Sequence, residues 1–230
     1  MTTPSIDATS RCTPEHGRVA QRPYRVSGAT AADLADAITL LGPRREGRRF
    51  AALTLWTLRW SFQPAFAGGA WRAIDVHVDL DVVVHMPEWR PPRTAPDALV
   101  ASWRSYVVAL AEHEGGHVAI ARDAARDVAA LLATTTSSTA SELALLVDDG
   151  ARGLVAAARV AELAYDAETR HGHTQGARWD GAAGGAWHGA SLCPGTAIAA
   201  AAPTAAIRGD GPASARFACP DRAITAGHEP

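Results

Sequence analysis

His113 and His117 stand four residues apart, with Glu114 directly after the first, in the stretch LAEHEGGHVAIARDAA spanning residues 110–125. On a helix, residues i and i+4 lie one above the other, about 5–6 Å apart at Cβ. Two imidazoles so placed can each bring a nitrogen to about 2.0–2.1 Å from one zinc ion. Glu114 then projects beside the metal, where a carboxylate can take a proton from its bound water. Gly115 and Gly116 fall between the histidines, and each costs a helix about 1 kcal/mol against alanine. A close approach of another chain segment, or of a substrate, to the helix accounts for that sacrifice.

The five residues form the H-E-x-x-H arrangement of zinc peptidases. The plainer alternative is a pair of satisfied core histidines on an apolar face. Their place on the buried stripe of a long helix weighs against it, because unpaired imidazoles there are costly to desolvate. A catalytic zinc site needs a third protein ligand and an open fourth position. Glu142, Asp166, His171 and His173 are the downstream candidates. Glu142 also completes a capping box with Thr139, which explains it structurally. The other three cluster in AYDAETRHGHTQG (residues 164–176), where a second helix reaches Gly172 and ends. His77 and His85 lie on the polar face of a strand, and His16, His188 and His228 in the flanks. Trp56, Trp60, Trp71, Trp89 and Trp103 read most simply as packing.

The elements that must position these groups follow from periodicity. YRVSG (Tyr24 to Gly28) reads as a short strand, and ATAADLADAITLLG as a helix closed by Gly42. TLWTLRWSF sets Trp56, Leu58, Trp60 and Phe62 on one face, a period of two. IDVHVDLDVVVHM does the same with Ile74, Val76, Val78, Leu80, Val82, Val84 and Met86. The two strands pair antiparallel through QPAFAGGA. A long helix then begins, with Thr94 as its cap and Pro96 and Asp97 in its first turn. Its stripe runs Leu99, Trp103, Tyr106, Leu110, His113, His117, Ile120, Ala124, Val128 and Leu131. TTTSST closes it, and the second helix runs from about Ser141 to Arg170.

Composition sets the outer limits. The chain of 230 residues is 47% hydrophobic and 20% charged, enough for one ordinary core. A formal net charge of −2 leaves no basic field to attract nucleic acid. All 22 basic residues are arginine, and asparagine is absent too, which points to GC-rich coding rather than to a binding surface. Apolar stretches are too short or too interrupted to span a bilayer. The N-terminus lacks the apolar core of a secretory signal, which reads as cytoplasmic; a misplaced start site would leave export open. Cys12, Cys193 and Cys219 show neither zinc-finger spacing nor an even count for a disulfide framework. The division expected is a disordered leader over 1–21, a metallopeptidase domain over 22–180, and a disordered Ala/Gly/Pro-rich tail over 181–230.

Two motifs together carry a resemblance. WxxYxxxLxxHExxH (Trp103 to His117) with YDxxTxHGxxQG (Tyr165 to Gly176) resembles the bacterial family of predicted zinc-dependent proteases known as domain of unknown function 922. Upstream, YRVSG, Gly42-Pro43, RFAALTLWTLRWSF and MPEW (Met86 to Trp89) are similar as well. The likeness covers about residues 23–180. It implies a zincin-like α+β fold: a small antiparallel sheet packed with the long motif-bearing helix and a second long helix. It further implies Zn2+ bound by His113, His117 and His171, with Asp166 either replacing His171 or orienting a ligand from behind. Glu114 becomes the catalytic base and Tyr165 a donor to the oxyanion, or else a core tyrosine. Thr169, Gln175 and Gly176 then shape the turn after His171. Members of the family are expected to be exported, and this chain departs by showing no signal. The expected function is zinc-dependent hydrolysis of peptide bonds in a peptide or protein substrate. The alternatives are a non-catalytic metal-binding zincin-like domain and an amidase acting on cell-wall peptides. Substrate preference and oligomeric state are not encoded in these motifs.

Overall fold

A computed structural model of the chain describes residues 18–179 and 197–199. The two alternating segments form long neighbouring strands, β4 (Leu53–Ala67) and β5 (Ala70–Trp89), paired antiparallel. Their connection is tighter than the sequence suggests. Most of QPAFAGGA is itself strand, and only Gly68 and Gly69 turn, with φ of 63° and 83°. Two consecutive positive φ values are what a two-residue hairpin of primed type requires, and glycine supplies them without strain. Opposite Phe62, β5 carries an extra residue, with Asp75 at φ 49°. This bulge shifts the alternation, so Ala73 is buried where Ile74 was expected to be. From Val76 to Val84 the buried face follows the predicted one.

The sheet is mixed rather than purely antiparallel. β1 runs from Arg18 to Val26 and lies parallel to β5, Arg18 opposite Asp81 and Val26 opposite Trp89. Its mostly exposed edge position explains why RVAQRPYRV shows little alternation and tolerates Pro23. The strand order is β1-β5-β4-β7. β7 (Ala197–Ala199) pairs parallel with Trp56–Leu58 at the far side of β4. Apart from these three residues, the expected tail lies outside the described residues, as do residues 1–17 of the expected leader and all three cysteines.

Among the described residues, three α-helices complete the α+β architecture. α1 (Ala31–Leu41) starts at a capping box between Thr30 and Asp33 and ends at Gly42. It leads into a small hairpin of β2 (Arg44–Arg45) and β3 (Arg48–Arg49). α2 spans Asp97–Thr134. Thr94 does not cap it: the turn at Pro92–Ala95 comes first, and Pro96 occupies the cap with no side-chain bond. After the short β6 (Thr136–Ser137), α3 runs from Ala140 to Thr169. α2 packs on β4 and β5, and α3 lies along α2.

Two large apolar cores result among the described residues, beside a small cluster of Phe50 and Leu53. The larger joins Trp56, Leu58, Trp60 and Phe62 with the β5 valines, with Val118 to Leu132 of α2 and with Leu143 to Ala158 of α3. The smaller gathers Leu34, Ile38, Trp89, Trp103, Tyr106, Leu110 and Trp179. Trp103 packs against the rings of Trp89, Tyr106 and Trp179, and Trp179 donates to the Ala31 carbonyl at 2.9 Å. The two histidines of α2 fall between these cores, held from both sides. Among the described residues, no helix is long and apolar enough to cross a membrane.

Candidate metal centre

The stripe of α2 turns His113 and His117 inward, both nearly fully buried. Their rings sit 5.0 Å apart and almost perpendicular. Facing them is α3, whose buried positions run Leu143, Val147, Ala151, Val155, Ala158, Glu162, Asp166 and Thr169. The spacing is one continuous helical stripe, but its chemistry changes at Glu162 from apolar to polar. Asp166 Oδ1 lies 3.2 Å from His113 Nε2 and 3.1 Å from His117 Nε2. Asp166 is thus aimed at the same point as both imidazoles.

His171 reaches the same place by an irregular route. On a regular helix it would face away from Asp166, five residues earlier. α3 stops at Thr169, however, and Arg170, His171 and Gly172 have φ of 51°, 54° and 80°. Three successive left-handed residues, two of them with side chains, are uncommon and costly. They fold the chain back so that His171 Nδ1 lies 3.6 Å from Asp166 Oδ1. Gly172 permits it: a Cβ there would sit 3.0 Å from His113 Cγ and 2.9 Å from the Ala177 side chain. Glu142, by contrast, is exposed at the opposite end of α3, where it accepts from the Ser138 backbone and hydroxyl. His173, in the short turn His173–Gln175, stands outside the group formed by His113, His117 and Asp166.

Tyr165 explains one of the two glycines. Its ring stacks on His113 at 5.2 Å, and a Cβ on Gly116 would come within 2.2 Å of it. Gly115 meets nothing and faces open space. The Tyr165 hydroxyl donates to the His113 carbonyl at 3.2 Å and accepts from Gln175 Nε2 at 3.0 Å. Gln175 does more than shape a turn, because its Oε1 lies 3.1 Å from His113 Nδ1.

Two carboxylates behind the histidines are tied to β4. Thr54 donates to Glu114 at 2.6 Å, and Trp56 Nε1 donates to Glu162 at 2.8 Å. Sequence reading passed over Thr54 and Glu162 and treated Trp56 as packing. The available signal was the stripe of α3: extended four residues at a time past Ala158, it meets Glu162 and Asp166 in turn.

The electrostatics are those of a tightly coupled group. Burial raises the Glu114 pKa, partly opposed by His117, Thr54 and His113. Burial also works against the carboxylate of Asp166, but hydrogen bonds from His113 and His117 outweigh it and hold the pKa at about 2. For His117, burial opposes the positive charge, while Asp166, Glu114 and Glu162 more than offset it and raise the pKa. Burial lowers that of His171.

Such a group suits a divalent cation. His113, His117 and Asp166 form a buried cluster whose ligand atoms all lie within 4.8 Å of one another. In a tetrahedral site with bonds of about 2.0–2.1 Å, neighbouring ligand atoms stand about 3.3 Å apart, close to the two spacings seen here. Asp166 Oδ2 and His171 Nδ1 are buried without hydrogen-bond partners. Imidazole and carboxylate together are compatible with zinc and with several other first-row metals.

No curated protein and no solved structure matches the chain. A family model described as "Bacterial protein of unknown function" matches residues 21–172, a span that holds both histidines of α2, Asp166 and His171. That match takes in well over half of the sequence, and the chain belongs to this bacterial family, DUF922.

Proposed function

We propose that the protein is a zinc-dependent peptidase, with His113, His117 and Asp166 as metal ligands and Glu114 as general base. The observation that carries this reading is the convergence of both Nε2 atoms and Asp166 Oδ1. When bound, the metal supplies Lewis acidity toward a peptide carbonyl and makes its water more acidic. Glu114 accepts the proton at its carboxylate. Burial raises its pKa above the ordinary carboxylate range, the direction that strengthens a base. Thr54 fixes one of its oxygens and thereby the direction of the other. Tyr165 Oη turns from the His113 carbonyl to donate to the developing oxyanion. His171, half-buried at the helix end, is the alternative to Asp166 as third ligand.

That position of His171 favours one second reading. If Asp166 and His171 both bind, the site has four protein ligands and no open position, as in structural zinc sites. The domain would then bind metal without catalysing hydrolysis.

Elemental analysis of the full chain, followed by a peptide-library digest of wild type and Glu114→Gln, tests the proposal. One zinc per chain is expected, with cleavage lost and metal kept in the variant. Absence of metal after reconstitution overturns the metal assignment. Metal without cleavage of any peptide favours the non-catalytic reading.

A further inference from the structure

Glu162 is fully buried yet stands apart from the three proposed ligands. It lies one helical turn before Asp166 on the same stripe of α3. Its Oε1 accepts from Trp56 Nε1 at 2.8 Å and lies 3.8 Å from His117 Nδ1. Its other oxygen, Oε2, has no hydrogen-bond partner. An isolated buried carboxylate is expensive, and a packed apolar residue in its place is often neutral or stabilising. The larger core immediately along the seam shows that apolar residues fit this helix pair well.

What the carboxylate accomplishes follows from the asymmetry of imidazole. To present a lone pair at Nε2, His117 must carry its proton at Nδ1, and a buried N–H needs an acceptor. His113 has such an acceptor in Gln175 Oε1 at 3.1 Å from its Nδ1. For His117 the group on that side is Glu162. A separation of 3.8 Å exceeds a hydrogen bond, so the pairing requires the imidazole or the carboxylate to shift when His117 turns its Nε2 to the metal. Trp56, anchored in β4, keeps the carboxylate from swinging away.

We infer that Glu162 is a positioning residue, held by Trp56, that orients His117 with Nδ1 protonated and Nε2 presented to the metal. This rests on the metal reading above and adds to it a carboxylate outside the ligand set. It also assigns the two histidines different supports, an amide for His113 and a carboxyl group for His117.

Glu162→Gln tests it, because the amide keeps the shape and an oxygen for Trp56 while removing the charge. Zinc affinity is read by competition with a chromogenic chelator, and stability by urea unfolding of the metal-free protein. Affinity should fall about tenfold, the lower end of the 10–100-fold typical of outer partners of metal ligands. The metal-free variant should be no less stable than wild type, since a buried charge has gone. Ring-nitrogen NMR of the zinc-loaded wild type should show His117 protonated at Nδ1, with that proton resonance shifted in the variant. Trp56→Phe, which frees the carboxylate without removing it, should weaken zinc in the same direction. Unchanged affinity in both variants, with metal-free stability lowered, overturns the inference and makes Glu162 a structural partner of Trp56. If wild type itself binds no zinc, the metal reading falls first, and the two failures are told apart.

Discussion

The seam between α2 and α3 has two halves built on one register and opposite chemistry. At one end Val128 and Leu132 meet Leu143 and Val147, all without exposed surface. At the other, His113 and His117 meet Glu162 and Asp166, buried almost as completely. The apolar half gains about 25 cal/mol for each Å2 removed from water. The polar half loses hydration and recovers it through short contacts among imidazoles, carboxylates, Trp56 and Gln175. Equal burial therefore has different meanings: one end holds the helices together, and the other is held together by them. A centre assembled this way depends on a rigid apolar half to keep four polar groups in reach.

The largest effect should come from removing the residue aimed at both histidines. Asp166→Ala should weaken zinc binding beyond the roughly 10–100-fold typical of outer partners, because the proposed reading makes Asp166 a direct ligand. His171→Ala should weaken it less. Chelator competition ranks the two, and a collapse confined to His171→Ala would transfer the ligand role to that histidine. The apolar half should respond in the opposite sense. Leu143→Ala, which empties a fully buried site, should cost about 2–5 kcal/mol in urea unfolding. Its affinity for zinc should stay near wild type wherever the protein is folded. A parallel loss of affinity would mean that the two halves are not separable.

Much of this seam is legible in the sequence, and its gaps have physical causes. The stripe of α2 places His113 and His117 because one long helix has a single period. The faces of β4 and most of β5 are equally clear, since alternation is local. The bulge at Asp75 is not, because one extra residue shifts the face without altering composition. Nor is the parallel pairing of β1 with β5, a contact between distant segments on an exposed edge. In the site, Glu162 hides in an alanine-rich helix where a glutamate resembles a solvated one. Asp166 and His171 stand as alternatives in the sequence, because five residues of regular helix would point them in different directions. The left-handed turn over Arg170, His171 and Gly172 ends that regularity and brings His171 to Asp166, which α3 itself already points at the histidines.

Gly115 and Gly116 offer a smaller version of the same contrast, on adjacent residues of the polar half. Gly116→Ala drives a methyl into the Tyr165 ring and should cost about 1–3 kcal/mol, as overpacking does. It should also displace the ring stacked on His113, visible as a change in Tyr165 resonances. Gly115→Ala enters open space and should stabilise the metal-free protein by up to about 1 kcal/mol through helix propensity. Destabilisation by Gly115→Ala would mean that a side chain is not accommodated on that face of α2 after all.

The smallest effect belongs to the start of α3, beside the apolar half and far from the histidines. Thr139 sits in extended backbone, and its Oγ1 accepts from the Glu142 amide at 3.1 Å. Thr139→Ala leaves that amide without its side-chain acceptor and should cost about 1 kcal/mol, within the 0.5–2 kcal/mol seen for lost caps. Glu142 contributes separately: its carboxylate accepts from the Ser138 hydroxyl and backbone, and these bonds lower its pKa. A lowered folded pKa means stability present above the ordinary glutamate value and lost as pH falls through the folded one. Glu142→Gln should therefore lower stability slightly at neutral pH and converge on wild type as pH falls through that window. Because the carboxylate is fully exposed, the change should also shrink in high salt. Zinc affinity should not move in either variant, for Thr139 and Glu142 stand at the opposite end of α3 from Asp166. If it does move, fraying at this end travels the length of α3, and the apolar half is less rigid than the centre requires.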